Sequence, residues 1–73
     1  MVVRYFARLR ELRGIDCETV ALPEGTTAAG AYLRLGLPAE LPVAHAVNAE
    51  RVPGGTVLAE GDELVFLPPI GGG

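Results

Sequence analysis

The 73-residue chain is long enough for one small domain only, and its composition excludes several classes of protein. Six arginines, no lysine and nine acidic residues give a net charge of −3, which argues against a nucleic-acid-binding protein because such proteins need a basic surface. A single cysteine, Cys17, cannot form an internal disulfide, and with one histidine it leaves no Cys/His cluster for zinc.

The amino-terminal segment and the hydropathy pattern predict a cytoplasmic protein without a membrane partner. The opening MVVRYF lacks the basic start, apolar run and small-residue cleavage site of a secretory signal peptide. No apolar stretch approaches the roughly 18 residues that a transmembrane helix requires. A lone cysteine also fits a reducing compartment.

The first part of the chain predicts two strands joined by a short helical segment. Residues 2–7 are rich in β-branched and aromatic side chains and predict a strand. The segment RLRELRG, residues 8–14, adds one or two helical turns that end at Gly14. Residues 15–21 alternate in polarity and predict a second strand, antiparallel to the first, with Cys17 at a core position.

The main helix is predicted over residues 28–35. The residues predicted to share one face of this helix are Ala28, Ala31, Tyr32 and Leu35. Thr26 and Thr27 supply side chains suited to an N-cap, and Gly36 ends the helix. Gly30, inside the helix, costs roughly 0.5–1 kcal/mol relative to alanine, so packing rather than intrinsic propensity must hold this helix.

The second half of the chain predicts a hairpin followed by a buried strand. Residues 43–48 form a strand that turns at Asn48, because asparagine tolerates the left-handed backbone conformation, and a short return strand follows. Gly61 and Asp62 predict a further turn. The last strand, residues 64–67, carries the apolar run LVFL and suits a central position parallel to the first strand.

This order of elements, β-β-α-β-β-β, predicts an α+β fold. Each element has one apolar side to bury, so one main helix is expected on one face of a mixed sheet of about five strands. Two hairpins that clasp a single helix are the β-grasp arrangement of ubiquitin. The expected organisation is a β-grasp domain over 1–68 and a flexible, extended tail with a Gly-Gly end over 69–73.

The side chains do not predict a catalytic site, so the chain is not expected to be an enzyme on its own. His45 lies in a predicted strand and is expected to be partly buried there. Cys17 lacks the helix N-terminus or the cationic neighbour that activates a thiol. The acidic residues Glu60, Asp62 and Glu63 surround a turn and are expected to form a solvated surface rather than a metal site.

The carboxyl-terminal sequence FLPPIGGG is the candidate functional element. Pro68 and Pro69 stiffen the exit from the last strand, and from Pro69 to Gly73 the chain spans at most about 17 Å. Glycines give this segment a cross-section thin enough to enter a narrow tunnel in another protein. The terminal carboxylate is ionised at pH 7 and needs activation before it can acquire another atom.

The apolar fraction of the sequence predicts a partner surface. Hydrophobic residues make up 49% of the chain. A domain of this size has too small a core to bury all of them. A contiguous apolar patch on the surface of such a domain usually marks a partner.

Four motifs spread along the chain carry a family resemblance: FARLRELRG (6–14), LPEGTT (22–27), AVNAE (46–50) and EGDELVFLPPIGGG (60–73). Together they resemble the MoaD family, the small subunits of molybdopterin synthase, over nearly the whole chain. Gly71 departs from the pattern, since many members have alanine or serine before the last two glycines. An extra glycine has more conformational entropy to lose when the tail docks.

The resemblance implies a sulfur carrier in molybdenum cofactor biosynthesis. The carboxylate of Gly73, at the end of the Gly72–Gly73 pair, would be adenylated by a ubiquitin-activating-type adenylyltransferase that uses ATP. Conversion to a thiocarboxylate would follow, and the sulfur would pass to precursor Z in the large subunit of molybdopterin synthase. The chain itself would bind no cofactor and no metal. A complex of two small and two large subunits is the family expectation.

The resemblance also implies a partner-binding surface, formed by the segment after the first strand and by the last strand with its tail. The predicted contact residues are Phe6, Arg8, Leu9, Arg10, Glu11, Leu12, Phe66, Pro68, Pro69, Ile70 and Gly71.

Three other functions share parts of this pattern. The first is a sulfur carrier for thiamine or tRNA thiolation, although the stretch FARLRE argues against a thiamine carrier because those usually begin with a shorter first hairpin. The second is a protein modifier that forms isopeptide bonds with lysines of its targets. The third is a non-catalytic β-grasp interaction domain with an inert tail.

Overall fold

A computed structural model describes residues 1–68, which form a five-stranded mixed sheet and two helices. In chain order the elements are β1 (Val2–Tyr5), α1 (Ala7–Arg13), β2 (Cys17–Thr19), α2 (Ala28–Arg34), β3 (Ala44–Val47), β4 (Glu50–Val52) and β5 (Glu63–Leu67). The strands lie in the order β2-β1-β5-β3-β4, with β1 and β5 parallel and the other neighbouring pairs antiparallel. The α+β fold with a central last strand is therefore confirmed. Within these residues, neither helix is long and apolar enough to cross a bilayer.

Strand β1 ends two residues earlier than predicted because the chain turns directly into a helix. Ala7 adopts a positive φ of 51°, and the carbonyl oxygen of Phe6 accepts hydrogen bonds from the N–H groups of Leu9 and Arg10, at 3.1 and 3.5 Å. Helix α1 stops as predicted at Gly14, whose φ is 77° and whose N–H donates to the Arg10 carbonyl.

Strand β2 is also shorter than predicted, and it lies at an edge of the sheet. Its Cys17 pairs with Arg4 of β1. This register puts Cys17 on the face opposite to Val3 and Tyr5, whose side chains are in the core. Cys17 is exposed, so its predicted core position is wrong. Alternation separates the two faces of a strand, but the neighbouring strand decides which face is buried.

Helix α2 covers one face of the sheet with the side chains that its periodicity predicted. Ala28, Ala31 and Tyr32 are buried, and the Tyr32 ring packs edge-on against Phe66 with 5.2 Å between ring centroids. The core cluster consists of Val3, Tyr5, Leu9, Ala28, Ala31, Tyr32, Leu37, Leu58, Leu64 and Phe66.

The first turn of α2 explains the glycine inside the helix. Thr27 is the N-cap, and its Oγ1 accepts a hydrogen bond from the N–H of Gly30 at 2.9 Å. A Cβ added at Gly30 would lie 2.9 Å from that same oxygen, so a larger residue would displace the cap. The N–H groups of Ala28 and Ala29 donate to carbonyl oxygens in the loop 54–56, at 2.9 and 2.8 Å. The first three N–H groups of α2, which have no partner within the helix, therefore all donate to acceptors around its start.

The hairpin between β3 and β4 turns at Asn48 and Ala49, whose φ values are 52° and 70°. The left-handed conformation predicted for Asn48 is confirmed. Its side chain also reaches the start of β5, where Nδ2 donates to Asp62 Oδ1 at 2.9 Å and Oδ1 accepts from the Glu63 N–H at 3.0 Å. One asparagine therefore fixes the hairpin against the central strand.

Candidate partner-binding surface at the carboxyl end of the last strand

The last strand fixes the point from which the carboxyl-terminal tail leaves the domain. β5 is hydrogen-bonded on both sides, with Phe66 opposite Tyr5 of β1 and opposite His45 of β3. A strand held by two neighbours gives its carboxyl end a defined position on the sheet. The predicted site residues in the tail, Pro69, Ile70, Gly71, Gly72 and Gly73, lie outside the described residues.

Helix α1 lies beside this exit and presents most of its side chains to solvent. The exposed members are Ala7, Arg8, Arg10, Glu11 and Leu12, and the Leu12 side chain is 50% exposed. Leu9 is different, because it is 4% exposed and belongs to the core. Its prediction as a contact residue is therefore revised: Leu9 is the apolar anchor that holds α1 on the sheet.

Phe66 also lies in the core instead of on the predicted surface. Its side chain is fully buried, and its ring contacts the rings of Tyr32 and His45 edge-on, with centroids 5.2 and 5.9 Å apart. Leu67 follows on the opposite face of the strand and is half-buried. Leu67 was not among the predicted contact residues, although alternation along the strand places it on the face opposite to Leu64 and Phe66.

A small apolar pocket of about 70 Å³ lies where the described chain ends. We name it the exit pocket; its lining residues are Phe6, Ala7, Arg8, Leu9, Leu41, Pro42, Val43 and Pro68. Phe6, at the junction of β1 and α1, keeps 45% of its surface exposed. The loop residues of this pocket were not predicted, because their proline-rich sequence indicates only a connection between elements.

A charged network ties α1 to the sheet and to the end of α2. The Arg13 guanidinium donates to the Glu18 carboxylate through Nη2 and to the Leu35 carbonyl oxygen through Nη1, the latter at 3.1 Å. The Tyr5 hydroxyl donates to Glu18 Oε2 at 2.5 Å. The guanidinium also lies over the Tyr5 ring, 5.4 Å from its centroid. One arginine thus contacts β1, β2 and the α2 end at once.

The network shifts the pKa values of Glu18 and Tyr5 in the directions that favour a charged Arg13–Glu18 pair. The hydrogen bonds that Glu18 accepts from Tyr5 and Arg13 hold the pKa of its carboxyl below the ordinary value of 4.5. Burial, together with the hydrogen bond that it donates to Glu18, raises the pKa of the Tyr5 phenol. At neutral pH the network therefore holds Arg13 and Glu18 charged and Tyr5 protonated.

The acidic residues near the start of β5 have structural partners. Glu63 accepts a hydrogen bond from Arg4 Nε at 2.7 Å, and this pair is largely solvent-exposed. Asp62 accepts from the Ala59 N–H at 2.7 Å as well as from Asn48, and these two bonds lower the pKa of its carboxyl. Across residues 1–68 no three His, Cys, Asp or Glu side chains cluster as metal ligands.

His45 is half-buried in β3, as predicted. Burial lowers the pKa of its imidazole below the ordinary value of 6.5. Its Cε1 lies 3.3 Å from where a Cβ on Gly54 would stand, so the imidazole packs under the loop that receives the first N–H groups of α2. This position gives His45 a packing role beside α2.

Comparison with known proteins supports this fold and extends the likeness to the end of the chain. The ThiS family model matches residues 3–73. A candidate molybdopterin converting factor, subunit 1, from Pyrococcus furiosus is 30% identical, and the match covers 94% of this chain and 95% of that one with a TM-score of 0.80.

Two structures of an archaeal protein are also similar. SAMP1 from Haloferax volcanii is 25% identical over 99% of this chain and 97% of that one, with a TM-score of 0.75. A crystal structure of the H. volcanii small archaeal modifier protein 1 is 24% identical over 94% and 95% of the two chains, with a TM-score of 0.77, and supports the fold alone. The chain therefore belongs to the ThiS family, whose ubiquitin-fold members are sulfur carriers or modifiers that work with partner enzymes.

Proposed function

We propose that this chain is the sulfur-carrying small subunit of a molybdopterin synthase, with the carboxylate of Gly73 as the reactive group. The observation that carries the proposal is the ThiS family match, which runs through the terminal Gly72 and Gly73 of the sequence. The likeness to a candidate molybdopterin converting factor subunit at 30% identity supports this pathway over the related ones.

The chemistry of the tail requires an activating partner. An ionised carboxylate is a poor electrophile, so an oxygen of Gly73 attacks the α-phosphorus of ATP on a ubiquitin-activating-type adenylyltransferase, and pyrophosphate leaves. A donor of sulfur at the sulfide oxidation state then attacks the carbonyl carbon of Gly73, AMP leaves, and a thiocarboxylate remains. In the large subunit, this sulfur bonds to precursor Z, and water cleaves the acyl C–S bond, which restores the Gly73 carboxylate. The chain supplies the carboxylate and its presentation and binds no cofactor of its own.

The described surface supplies contacts suited to such partners. Phe6 and Leu12 offer exposed apolar area, and the same segment carries exposed charges of both signs on Arg8, Arg10 and Glu11. Exposed apolar side chains together with charged ones are typical of protein interfaces. Pro68 connects this surface to the tail, so a partner that docks on α1 also receives the terminal glycines. A complex of two small and two large subunits is part of this proposal.

Intact-mass spectrometry tests the carrier role directly. The full chain is incubated with the activating enzyme of its host, ATP and a sulfur donor. The expected result is a mass gain that corresponds to replacement of one oxygen by sulfur, localised to Gly73 by fragmentation. The large subunit and precursor Z are then added. Transfer of the sulfur to precursor Z identifies molybdopterin synthesis, whereas a carrier for thiamine or tRNA thiolation should leave precursor Z unchanged.

Removal of the Gly72–Gly73 pair is the matched control, because removal of Gly73 alone would leave Gly71 and Gly72 as a new Gly-Gly end. The shortened chain should form no thiocarboxylate and transfer no sulfur, while its melting temperature stays that of the full chain, because both glycines follow the last strand. Sulfur transfer by the shortened chain would contradict the proposal. A Cys17→Ala variant, which keeps the tail, should transfer sulfur normally and so exclude a thiol carrier.

A protein modifier is the second candidate, and the likeness to SAMP1 over 99% of this chain favours it. In that role the activated Gly73 acyl group forms an isopeptide bond with a lysine of a target. The same activation mixture with a cell extract distinguishes the two, because a modifier gives amide-linked conjugates that survive boiling in reducing detergent. A chain that remains free while carrying sulfur favours the carrier.

A further inference from the structure

We propose that the exit pocket receives one aliphatic side chain of the enzyme that activates the tail, and that an acidic residue next to that side chain pairs with Arg8. The pocket and Arg8 belong to the described domain. The identity of the occupant rests on the proposed function, because a chain whose terminal carboxylate is activated must bind an adenylyltransferase.

The exit pocket has the size and the lining for one aliphatic side chain. Leu9 in its wall is buried, and Leu41 and Val43 pack against the core cluster beside it. Seven of the eight lining residues are apolar, and the eighth is Arg8. The volume of about 70 Å³ exceeds the roughly 10–15 Å³ that one water needs, yet apolar walls offer a water few hydrogen bonds. An aliphatic group is therefore the favoured occupant.

The length of chain that follows the pocket limits where the activating enzyme can bind. Pro68 lines the pocket, and five peptide bonds separate it from Gly73. Even a fully extended chain therefore keeps the terminal carboxylate within about 18 Å of Pro68. An enzyme that encloses this carboxylate must approach the domain from this end, whatever path the tail takes. The surface of the enzyme therefore meets the exit pocket.

The rim of the pocket is a stiff apolar surface that a partner can cover. Phe6 keeps 45% of its surface exposed there, and aromatic side chains are enriched in protein interfaces. Pro42 and Pro68 lie on other walls and are both exposed. Because a proline ring fixes φ, these two residues lose little conformational entropy when a partner covers them. The rim therefore has the shape of an interface before the enzyme binds.

Arg8 determines the charge that the partner must bring. Its side chain lines the pocket and is exposed. Within residues 1–68 the two ion pairs are Arg4–Glu63 and Arg13–Glu18, so Arg8 belongs to neither. Helix α1 as a whole has three arginines and one glutamate, a local charge of 3 − 1 = +2 on a chain of net charge −3. A carboxylate beside the inserted side chain complements this charge, whereas a basic residue there is repelled.

Binding of the full chain to the activating enzyme of its host tests the charge. Calorimetric titration at low ionic strength should give a Kd about tenfold higher for Arg8→Glu than for the unchanged chain. The difference should shrink as salt is added, because exposed charges are screened. Arg34→Glu is the matched control, since Arg34 is exposed on α2 and does not line the pocket. Equal Kd values for the two variants, or no effect of Arg8→Glu, overturn the proposal.

Methyl nuclear magnetic resonance of the same complex tests the occupant of the pocket. We expect nuclear Overhauser effects between Leu41 or Val43 of the chain and aliphatic methyl groups labelled in the enzyme. Leu33 is the internal control, because it is 60% exposed on α2 and does not line the pocket, and its signals should stay in place. Signals of Leu41 and Val43 that do not respond to the enzyme overturn the proposal. Contacts only to a second copy of this chain, or only to aromatic protons of the enzyme, overturn it as well.

This inference and the proposed function fail separately. Thiocarboxylate formation on Gly73, read by mass, tests the carrier role in the unchanged chain. The Kd values and methyl signals test the pocket contact before ATP or a sulfur donor is added. A chain that acquires sulfur but shows no pocket contact removes this inference and leaves the proposed function standing. A chain that the enzyme binds through the pocket without loading sulfur removes the carrier role and leaves the contact.

Discussion

The two helices have the same length, seven residues each, but are held in different ways. Helix α2 has a side-chain cap from Thr27, three buried residues and first N–H groups that donate to a neighbouring loop. Helix α1 has no side-chain cap at Phe6 and one buried residue, Leu9. A helix with one buried residue leaves most of its side chains exposed, so α2 contributes more to the core, and α1 is the surface that we propose for partner contact.

The largest effect on stability is expected for Phe66, which lies beneath α2. Phe66→Ala removes a fully buried ring that contacts Tyr32 and should lower the free energy of unfolding by about 3–5 kcal/mol. Leu12→Ala, on the exposed side of α1, should change it by at most about 0.5 kcal/mol. Urea denaturation measures both. A loss above about 2 kcal/mol for Leu12→Ala would break the distinction between the helices.

The next largest effect on stability is expected for Arg13, whose hydrogen bonds link α1 to the sheet and to the end of α2. Arg13→Met removes the hydrogen bonds to Glu18 and to the Leu35 carbonyl, and about 1–2 kcal/mol of stability should be lost. Amide hydrogen exchange should also speed up in α1 more than in α2, because the network holds α1 in particular. Arg10→Met, on the exposed side of α1, is the control. Equal effects for the two arginines would show that the network contributes little.

A double-mutant cycle at the start of α2 tests the cap. Gly30→Ala would stabilise an ordinary helix by up to about 1 kcal/mol, but here it should give no gain, because the new Cβ displaces the Thr27 hydroxyl. Thr27→Ala should cost about 1 kcal/mol. With the cap already removed, Gly30→Ala should regain its stabilising effect. Additive free energies of unfolding would rule out competition between the cap and the Cβ.

The smallest expected effects are on the pH dependence of stability, which should report on His45 beside α2 and on Glu18, the partner of Arg13 in α1. The pKa of His45 is lowered by burial, so stability falls as pH drops below about 6.5, where the unfolded chain takes up the proton first. The pKa of Glu18 is lowered by Tyr5 and Arg13, so its contribution is present above 4.5 and is lost at lower pH. Denaturation at a series of pH values should therefore show two steps.

Two variants assign these steps. His45→Gln should remove the decline that begins near pH 6.5, and Glu18→Gln should reduce the decline below 4.5, where the contribution of Asp62 remains. A His45→Gln chain that still weakens between pH 7 and 5.5 would mean that another group titrates there.

Local signals predicted much of the fold. The left-handed backbone at Asn48, the stop at Gly14, and the cap at Thr27 each depend on the chemistry of one residue and its near neighbours, so the amino-acid sequence is enough to predict them. The central, parallel last strand followed from its apolar run LVFL, which only a strand covered on both faces can bury. Periodicity likewise identified the buried face of α2.

Two of the predicted contact residues are buried, for a physical reason. Leu9 and Phe66 lie in motifs together with exposed residues, and their apolar character fits a core and an interface equally well. Cys17 was placed on the wrong side because a strand alternates in the same way whichever face is buried. The exit pocket joins residues that are up to about 60 positions apart, from Phe6 to Pro68, and such a meeting leaves no local pattern.

The sequence by itself determined the composition of the elements, their turns and caps, and the glycine ending that defines the candidate reactive group. These features depend on backbone preferences and on chemistry within a few residues. Only the tertiary structure decided which face of each strand enters the core, how Arg13 joins three elements, and which side chains surround the exit of the tail. Those outcomes depend on register and on contacts between distant segments, and a one-residue shift in pairing would reverse them.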